Sequence, residues 1–392
     1  MRIAIIVIGN SRRNNYLNGH NLRYDGGGAS GTDTSSMLVA EYLASKGHEV
    51  VMTVDELEPL LEEKLQKQGK KFVPGAKSYG VSYTNKNFDG IENKTFDVLI
   101  NMLWFQDYDK LPITVTKSLI YWCHMQWVYG IDAHMAYARK HNLTLGMVNV
   151  STWQASVSQN VINHVKANYE KTKQFLISNP IFDEMIREVE QEPIQKKKGK
   201  FIFHATWPTG GDVAMQAVRE LDMPEKQFHA FDYFITVHGH TESYFHNHQA
   251  VDRKTLYKHL AESEYFIYPL YTIHKVLRKD TFACTVAEAL AFNTIVLTYP
   301  LGALPTVFGD KCVWLDAPPG TNLDELQRAD LARDEEGKFK YTKNIVDKIN
   351  YLEANPEIKE KYRTGGRQYV LENFNINKIG KMWEDCLEEL TK

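Results

Sequence analysis

The chain of 392 residues is 43% hydrophobic and 24% charged, with a formal net charge of −3 at pH 7. That length exceeds one ordinary core and suits two domains of about 150–200 residues each. The near-neutral balance argues against nucleic acid or an anionic membrane as the principal partner, and no internal repeat or low-complexity tract marks a fibrous or disordered chain.

Four cysteines (Cys123, Cys284, Cys312, Cys386) are scattered, with no CxxC pair and no histidine at zinc-finger spacing. This predicts a reducing compartment and neither a disulfide scaffold nor a structural metal. The opening segment MRIAIIVIGN holds six consecutive apolar residues, Ile3 to Ile8. It reads as a strand and not as a signal peptide or membrane span. The expectation is a cytoplasmic protein with, at most, peripheral membrane contact.

Short apolar runs then recur as predicted strands at 3–8, 49–54, 97–103, 118–123, 145–151 and 174–178. The clearest helix between them is DTSSMLVAEYLASKGHEV, which Asp33 or Thr34 can cap and Gly47 can end. Strand–helix alternation with fully apolar strands implies a parallel sheet covered on both faces. The polar stretch REVEQEPIQKKKGK (187–200) reads as an interdomain linker, its lysines more naturally a solvated turn than a membrane or phosphate patch. KFIFHAT (200–206) opens a second strand–helix set, through QFHAFDYF, DRKTLYKHLAES, YFIYPL and TIVLTY. Polar amphipathic helices end the chain. Two parallel-sheet domains with a ligand cleft between them are expected.

Three segments are candidates for chemistry. In YDGGGASGTDTSS, residues Gly26, Gly28 and Gly31 satisfy G-x-G-x-x-G, and Asp55 ends the next strand. A dinucleotide fingerprint must leave the first strand directly, however, and here 17 residues separate Ile8 from Gly26. The favoured reading keeps only the backbone physics: amides around Gly27 and Gly28 approaching an anion, aided by a helix N-terminus. A plain surface loop is the alternative. In YWCHMQWVYG, His124 follows an apolar strand and is placed at the carboxyl edge of the sheet, where it would meet sugar hydroxyls or developing charge. Packing against Trp122 and Trp127 is the equal alternative. In RKDTFACTVAEALAFNTIV (278–296), Asp280 and Glu288 stand at the mouth and on the flank of one predicted helix. Carboxylates so placed can accept from hydroxyls on two sugar rings while helix N-terminal amides hold a phosphate between them. The bland alternative is an N-cap plus a buried Glu paired with a neighbouring Arg or Lys.

The last segment resembles the retaining, family-4 GT-B glycosyltransferases, whose signature is E-x-F-G-x-x-x-x-E-A-x-A-x-G-x-P-V. Here DTFACTVAEALAFNTIV keeps the Phe, the Glu-Ala-Leu-Ala core and the spacing. Asp280 replaces the first Glu, Ala283 the Gly, and FNT the Gly-x-Pro turn. GTDTSSMLVAEYLASKGHEV, SNPIFDEM and HATWPTGGDVAMQAV are similar to further segments of that family. The resemblance implies an α/β protein of the GT-B fold: an acceptor-side Rossmann-like domain over 1–185, a donor-binding one over 186–370, and a crossover helix over 371–392 returning to the first. It implies transfer of a hexose from a UDP- or GDP-linked sugar to a glycan, lipid or protein-linked glycan, with retention. Asp280 would contact the hexose and Glu288 the ribose, with amides of Phe282, Ala283 and Cys284 toward sugar or phosphate and His124 near the anomeric carbon. No cofactor and no metal are implied; DYDK (107–110) is only a formal Asp-x-Asp. The family carries an Arg and a Lys on its first donor-domain turn, but HATWPTGGDVA has neither. Lys275, Arg278 or Lys279 would take their place, with His204 either assisting or simply packed. A non-catalytic sugar-nucleotide binder and a sugar-nucleotide epimerase are the alternatives within this architecture.

Overall fold

A computed structural model describes all residues except 8–12, 15, 27, 58, 103–106, 129, 166–168, 233–240, 249, 271–278, 317–332, 336–337 and 340–341. Its contacts divide the chain into unit 1, Met1–Phe182 with Phe374–Lys392, and unit 2, Asp183–Asn373.

Unit 1 is built on β1 (Arg2–Ile6), β3 (Glu49–Val54), β5 (Lys77–Ser78), β6 (Val81–Asn85), β7 (Thr95–Met102), β8 (Thr114–Cys123), β9 (Thr144–Asn149) and β10 (Thr172–Leu176), with β2 (Arg13–Asn14) and β4 (Glu56–Leu57) forming a separate short pair. The sheet order is β10-β9-β8-β7-β1-β3-β6-β5, parallel except for β5 against β6. Helices α1 (Gly19–Tyr24), α2 (Gly31–Ser45), α3 (Pro59–Lys67), α4 (Ile131–Lys140) and α5 (Thr152–Val165) accompany it. The central strands are apolar throughout because both faces are covered: Ile3, Ile5, Leu99, Ile100, Leu119 and Ile120 are all fully buried. Strand β6 was not expected, since VSYTN lacks an apolar run, yet Val81, Tyr83 and Thr84 are buried in it.

Helix α2 begins earlier than expected. Ser30, and neither Asp33 nor Thr34, is the N-cap: its hydroxyl accepts from Asp33 N, and the Asp33 carboxylate accepts from Ser30 N in return. Ser-x-x-Asp closes two N-terminal donors at once, so the helix starts at Gly31. Its far end follows the expectation, with Gly47 left-handed at φ +85°.

The C-terminal helix Ile376–Thr391 returns to unit 1. It buries Trp383, Leu387 and Leu390, sets Trp383 edge-on to Trp122 at 4.5 Å, and lets Ser118 Oγ donate to Leu390 O at 2.6 Å. Gly380 permits the approach to α2, since a Cβ there would lie 2.4 Å from the Tyr42 ring.

Unit 2 holds β11 (Lys197–Phe203), β12 (Gln227–Ala230), β13 (Phe245–Asn247), β14 (Ser263–Tyr268), β15 (Ile295–Thr298) and β16 (Val313–Trp314), ordered β13-β12-β11-β14-β15-β16 and wholly parallel. With them run α6 (Asp183–Glu190), α7 (Gly211–Glu220), α8 (Arg253–Glu262), α9 (Cys284–Ala291) and α10 (Leu304–Phe308). The segment 187–200 is not a free linker. Residues up to Glu190 complete α6, whose Met185, Ile186 and Val189 are buried, and Lys197 already belongs to β11. Between them Lys196 Nζ donates to Leu260 O, Ser263 O and Thr294 Oγ1 at 3.1, 2.5 and 2.9 Å. Burial pulls that ammonium down to about 7, so it is a packed donor and not part of a solvated turn. Among the described residues no helix is long and apolar enough to cross a membrane.

Candidate functional site

Strand β14 delivers Tyr268 to the carboxyl edge of the unit 2 sheet, and the loop entering α9 is tied to it through Asp280. The Tyr268 hydroxyl donates to Asp280 Oδ2 at 2.7 Å. Oδ1 accepts from the amides of Phe282 and Ala283 at 3.2 and 2.9 Å. A short carboxylate reaching the amides two and three residues on is the usual behaviour of Asp before a helix. Two of the amides expected to face a ligand are therefore held by Asp280 itself. On the other side of the loop, Ala303 N donates to Asp280 O at 2.9 Å. Gly302, at φ +59°, makes that approach possible: a Cβ there would lie 2.5 Å from the same oxygen. Ala283 sits left-handed at φ 59°, ψ 72°, where the family signature has Gly, a conformation that costs an alanine about 1–2 kcal/mol. Cys284 is half-buried as the first residue of α9.

Glu288 lies in the second turn of α9, only 3% exposed. Arg253 Nη1 donates to both of its oxygens at 3.0 and 3.1 Å, and the Tyr257 hydroxyl donates to Oε1 at 2.9 Å. Arg253 and Tyr257 are four residues apart on α8 and so share one face of it. Burial pushes the Glu288 carboxyl up from its ordinary value, while the Arg253 charge and the two hydrogen bonds pull it back. The arrangement is that of a buried carboxylate paired with a cation, the bland alternative of the sequence reading.

His204 follows β11 and completes this cluster, its Nδ1 lying 3.9 Å from Glu288 Oε2 and its ring tilted against Phe266 at 4.6 Å. Its Nε2 has no hydrogen-bond partner among the described residues. Burial first, then the Arg253 charge, drives its pKa down to about 3, so the imidazole is neutral at pH 7. The sign of the linkage follows. The unfolded chain protonates His204 below about 6.5 and the native one only near 3, so its stabilisation is complete above 6.5 and lost as pH falls toward 3. Stability of unit 2 is expected to drop by up to about 1.4 kcal/mol per pH unit across that window on this account. Urea titrations at stepped pH check it: His204→Gln should flatten the slope, and an unchanged slope rejects the assignment.

Of the other expected site residues, Lys279 is half-buried beside Asp280, while Lys275, Arg278 and Gly27 lie outside the described residues. His124 and Gly28 belong to unit 1. His124 directly follows β8, buried, its ring tilted against Trp122 at 4.8 Å. Gly28 has φ +70° and precedes the Ser30 cap. Asp107 and Asp109 of DYDK are ion-paired with Lys110 and Lys140 at 2.6 and 3.1 Å. At the first turn of unit 2, Trp207 donates its amide to Asp232 Oδ2 at 2.5 Å and Nε1 to Asp212 Oδ1 at 2.9 Å. Asp212 of that turn and Asp232, which follows β12, are thus the charged groups at Trp207. Arg253, Tyr257 and Tyr268 were not expected. The available signal was an Arg-x3-Tyr pair on the apolar side of DRKTLYKHLAES, in register with Leu256 and Leu260.

No family model matches the chain and no curated protein matches it. Solved structures do resemble it over the whole length. Sucrose-phosphate synthase from Thermosynechococcus elongatus is 12% identical with a TM-score of 0.63, covering 99% of this chain and 98% of that one. The pneumococcal O-GlcNAc transferase GtfA, solved with UDP and GlcNAc, is 11% identical at TM-score 0.60, covering 100% and 99%. Anabaena HepE, solved with UDP and glucose, is 10% identical at TM-score 0.59 and covers both chains completely. The chain therefore has the GT-B fold, two Rossmann-like units each built on a largely parallel sheet.

Proposed function

We propose that the protein is a retaining glycosyltransferase that moves a hexose from a UDP- or GDP-linked donor to a glycan, lipid or protein-linked glycan. The observation that carries this reading is the Asp280–Glu288 pair at the entrance and second turn of α9, directly after a central strand of a GT-B unit. The similar structures solved with UDP and a sugar support a nucleotide sugar as the donor class, with UDP favoured over GDP.

In this reading Asp280 accepts from hexose hydroxyls, its geometry fixed by Tyr268 and the loop amides. Glu288, oriented by Arg253 and Tyr257, offers its remaining lone-pair capacity to the ribose, since a carboxylate has about four acceptor positions. Lys279, Lys275 and Arg278 neutralise the departing diphosphate. The acceptor hydroxyl attacks on the face the diphosphate leaves, a phosphate oxygen taking its proton. No divalent metal is needed for that step, because preorganised dipoles and cations stabilise the leaving group.

Thermal-shift and calorimetric titrations against UDP, GDP and their sugars test the donor, since only a binder of the native state stabilises it. One nucleotide series should stabilise the chain. The product's anomeric proton should report an α-linkage from an α-donor, and turnover should persist in excess EDTA. Silence from every nucleotide, a β-linkage, or activity abolished by EDTA rejects the reading. A second reading, a sugar-nucleotide binder without turnover, is favoured by the carboxylates at the first turn of unit 2. Binding without donor hydrolysis or transfer selects it.

A further inference from the structure

Three histidines from three elements of unit 2 converge. His229 is on β12, His248 directly follows β13, and His259 is on α8. One ring nitrogen from each lies within 4.8 Å of the others, the only such group of three or more His, Cys, Asp or Glu among the described residues. His229 Nδ1 and His248 Nε2 are 2.8 Å apart, with ring planes only 9° from parallel. We propose that His229, His248 and His259 bind one borderline divalent transition metal of the Zn2+ class, with an open position left to water.

The surroundings suit that ligand set. His229 Nε2–H donates to Gln227 Oε1 at 3.4 Å, which leaves the Nδ1 lone pair toward the cluster. Outer acceptors of this kind orient metal-bound imidazoles. Phe231 walls the site, lying 4.5 Å from the His248 ring and 5.0 Å from that of His259. His229 is 8% exposed and the other two are half-buried, so an ion would be shielded yet reachable.

Without metal, His248 Nε2–H donates to His229 Nδ1. Metal binding replaces that hydrogen, and His248 carries its proton on Nδ1 instead, so the proton count of the pair is unchanged. Tetrahedral bonds of about 2.0–2.1 Å set ligand nitrogens roughly 3.3 Å apart, so the close pair opens by about 0.5 Å and His259 moves in by up to about 1.5 Å. One group opposes the ion: Lys200 Nζ is 3.0 Å from His259 Nδ1, its charge shared with Glu262 at 2.5 Å. Glu262 also pairs with Lys197 at 2.6 Å, so it keeps a cation when Lys200 is replaced.

The site would clamp β12, β13 and α8 together. Arg253 and Tyr257 leave α8 on a different side from His259, since six residues advance the helix by about 240°. An ion here braces the helix that holds Glu288 without touching the sugar site, and the inference stands independently of the transferase reading.

Co2+ and Zn2+ added alone to the full, metal-free chain provide the test. One Co2+ per chain should bind, with visible absorption bands of tetrahedral character that Zn2+ displaces, and saturating Zn2+ should raise the unfolding temperature. His248→Gln and His259→Gln should each lower metal affinity at least tenfold while melting like the parent in the absence of metal. Lys200→Met should tighten binding, a change opposite in sign to general damage. Stoichiometric uptake that survives both histidine substitutions overturns the proposal, as does uptake that occurs only in Lys200→Met or in no variant.

Discussion

Glu288→Ala is expected to destabilise unit 2 by about 3–5 kcal/mol, because it breaks a buried ion pair by removing the carboxylate that accepts twice from Arg253 Nη1. Both residues are almost fully buried, with side chains 4% exposed, and the Tyr257 hydroxyl loses its acceptor in the same step. Removing both charges is a different experiment. Arg253→Met with Glu288→Leu fills the space with apolar atoms and leaves no uncompensated charge, so most of the lost stability should return. Calorimetry that resolves the transition of unit 2 measures both effects, since a chain of two units need not unfold in one step. The double variant also separates structure from function. If Glu288 accepts from the donor's ribose, the refolded double variant loses roughly 1.5–3 kcal/mol of nucleotide affinity, the worth of a hydrogen bond to a charged group. Normal nucleotide binding by a stable double variant makes the Arg253–Glu288 pair purely a device of the fold.

That pair also marks where sequence reading stops. The strands were legible because parallel sheets covered on both faces need unbroken apolar runs, as in β1, β7 and β8. β6 was not legible, because VSYTN earns its burial from neighbours β3 and β5 and not from its own composition. The spacing of Asp280 and Glu288 could be read along one segment. Their partners could not: Arg253 lies 35 residues from Glu288 and meets it only through tertiary packing. Lysines pose the same problem. In the KKKGK run Lys197 and Lys198 reach surface carboxylates, whereas Lys200 is 1% exposed. Nothing in the run itself distinguishes them: Lys197 and Lys200 even share Glu262, and what covers each strand position decides which is buried. The three histidines come from positions 229, 248 and 259, a spacing that matches no linear metal motif, so they became visible only in three dimensions.

If Asp280 accepts from a hexose as proposed, Asp280→Asn should separate that contact from the loop that carries it. The amide side chain keeps an oxygen for the Phe282 and Ala283 amides, so the turn into α9 survives and the unfolding temperature stays near that of the parent. What it loses is the negative charge, and with it a strong acceptor for hexose hydroxyls. That difference, about 1.5–3 kcal/mol, corresponds to a fall in turnover of roughly 10–100-fold. UDP alone has no hexose, so its affinity should barely change. Asp280→Ala removes the acceptor altogether and should add a stability loss of about 1–3 kcal/mol, since the Phe282 and Ala283 amides lose their partner. Comparison of kcat with UDP affinity across the two variants decides the role. If Asn lowers UDP affinity as much as it lowers turnover, Asp280 acts through the loop and the phosphates. If Asn leaves turnover intact while Ala abolishes it, the side chain serves only to hold the loop that enters α9, and the hexose is held by other groups.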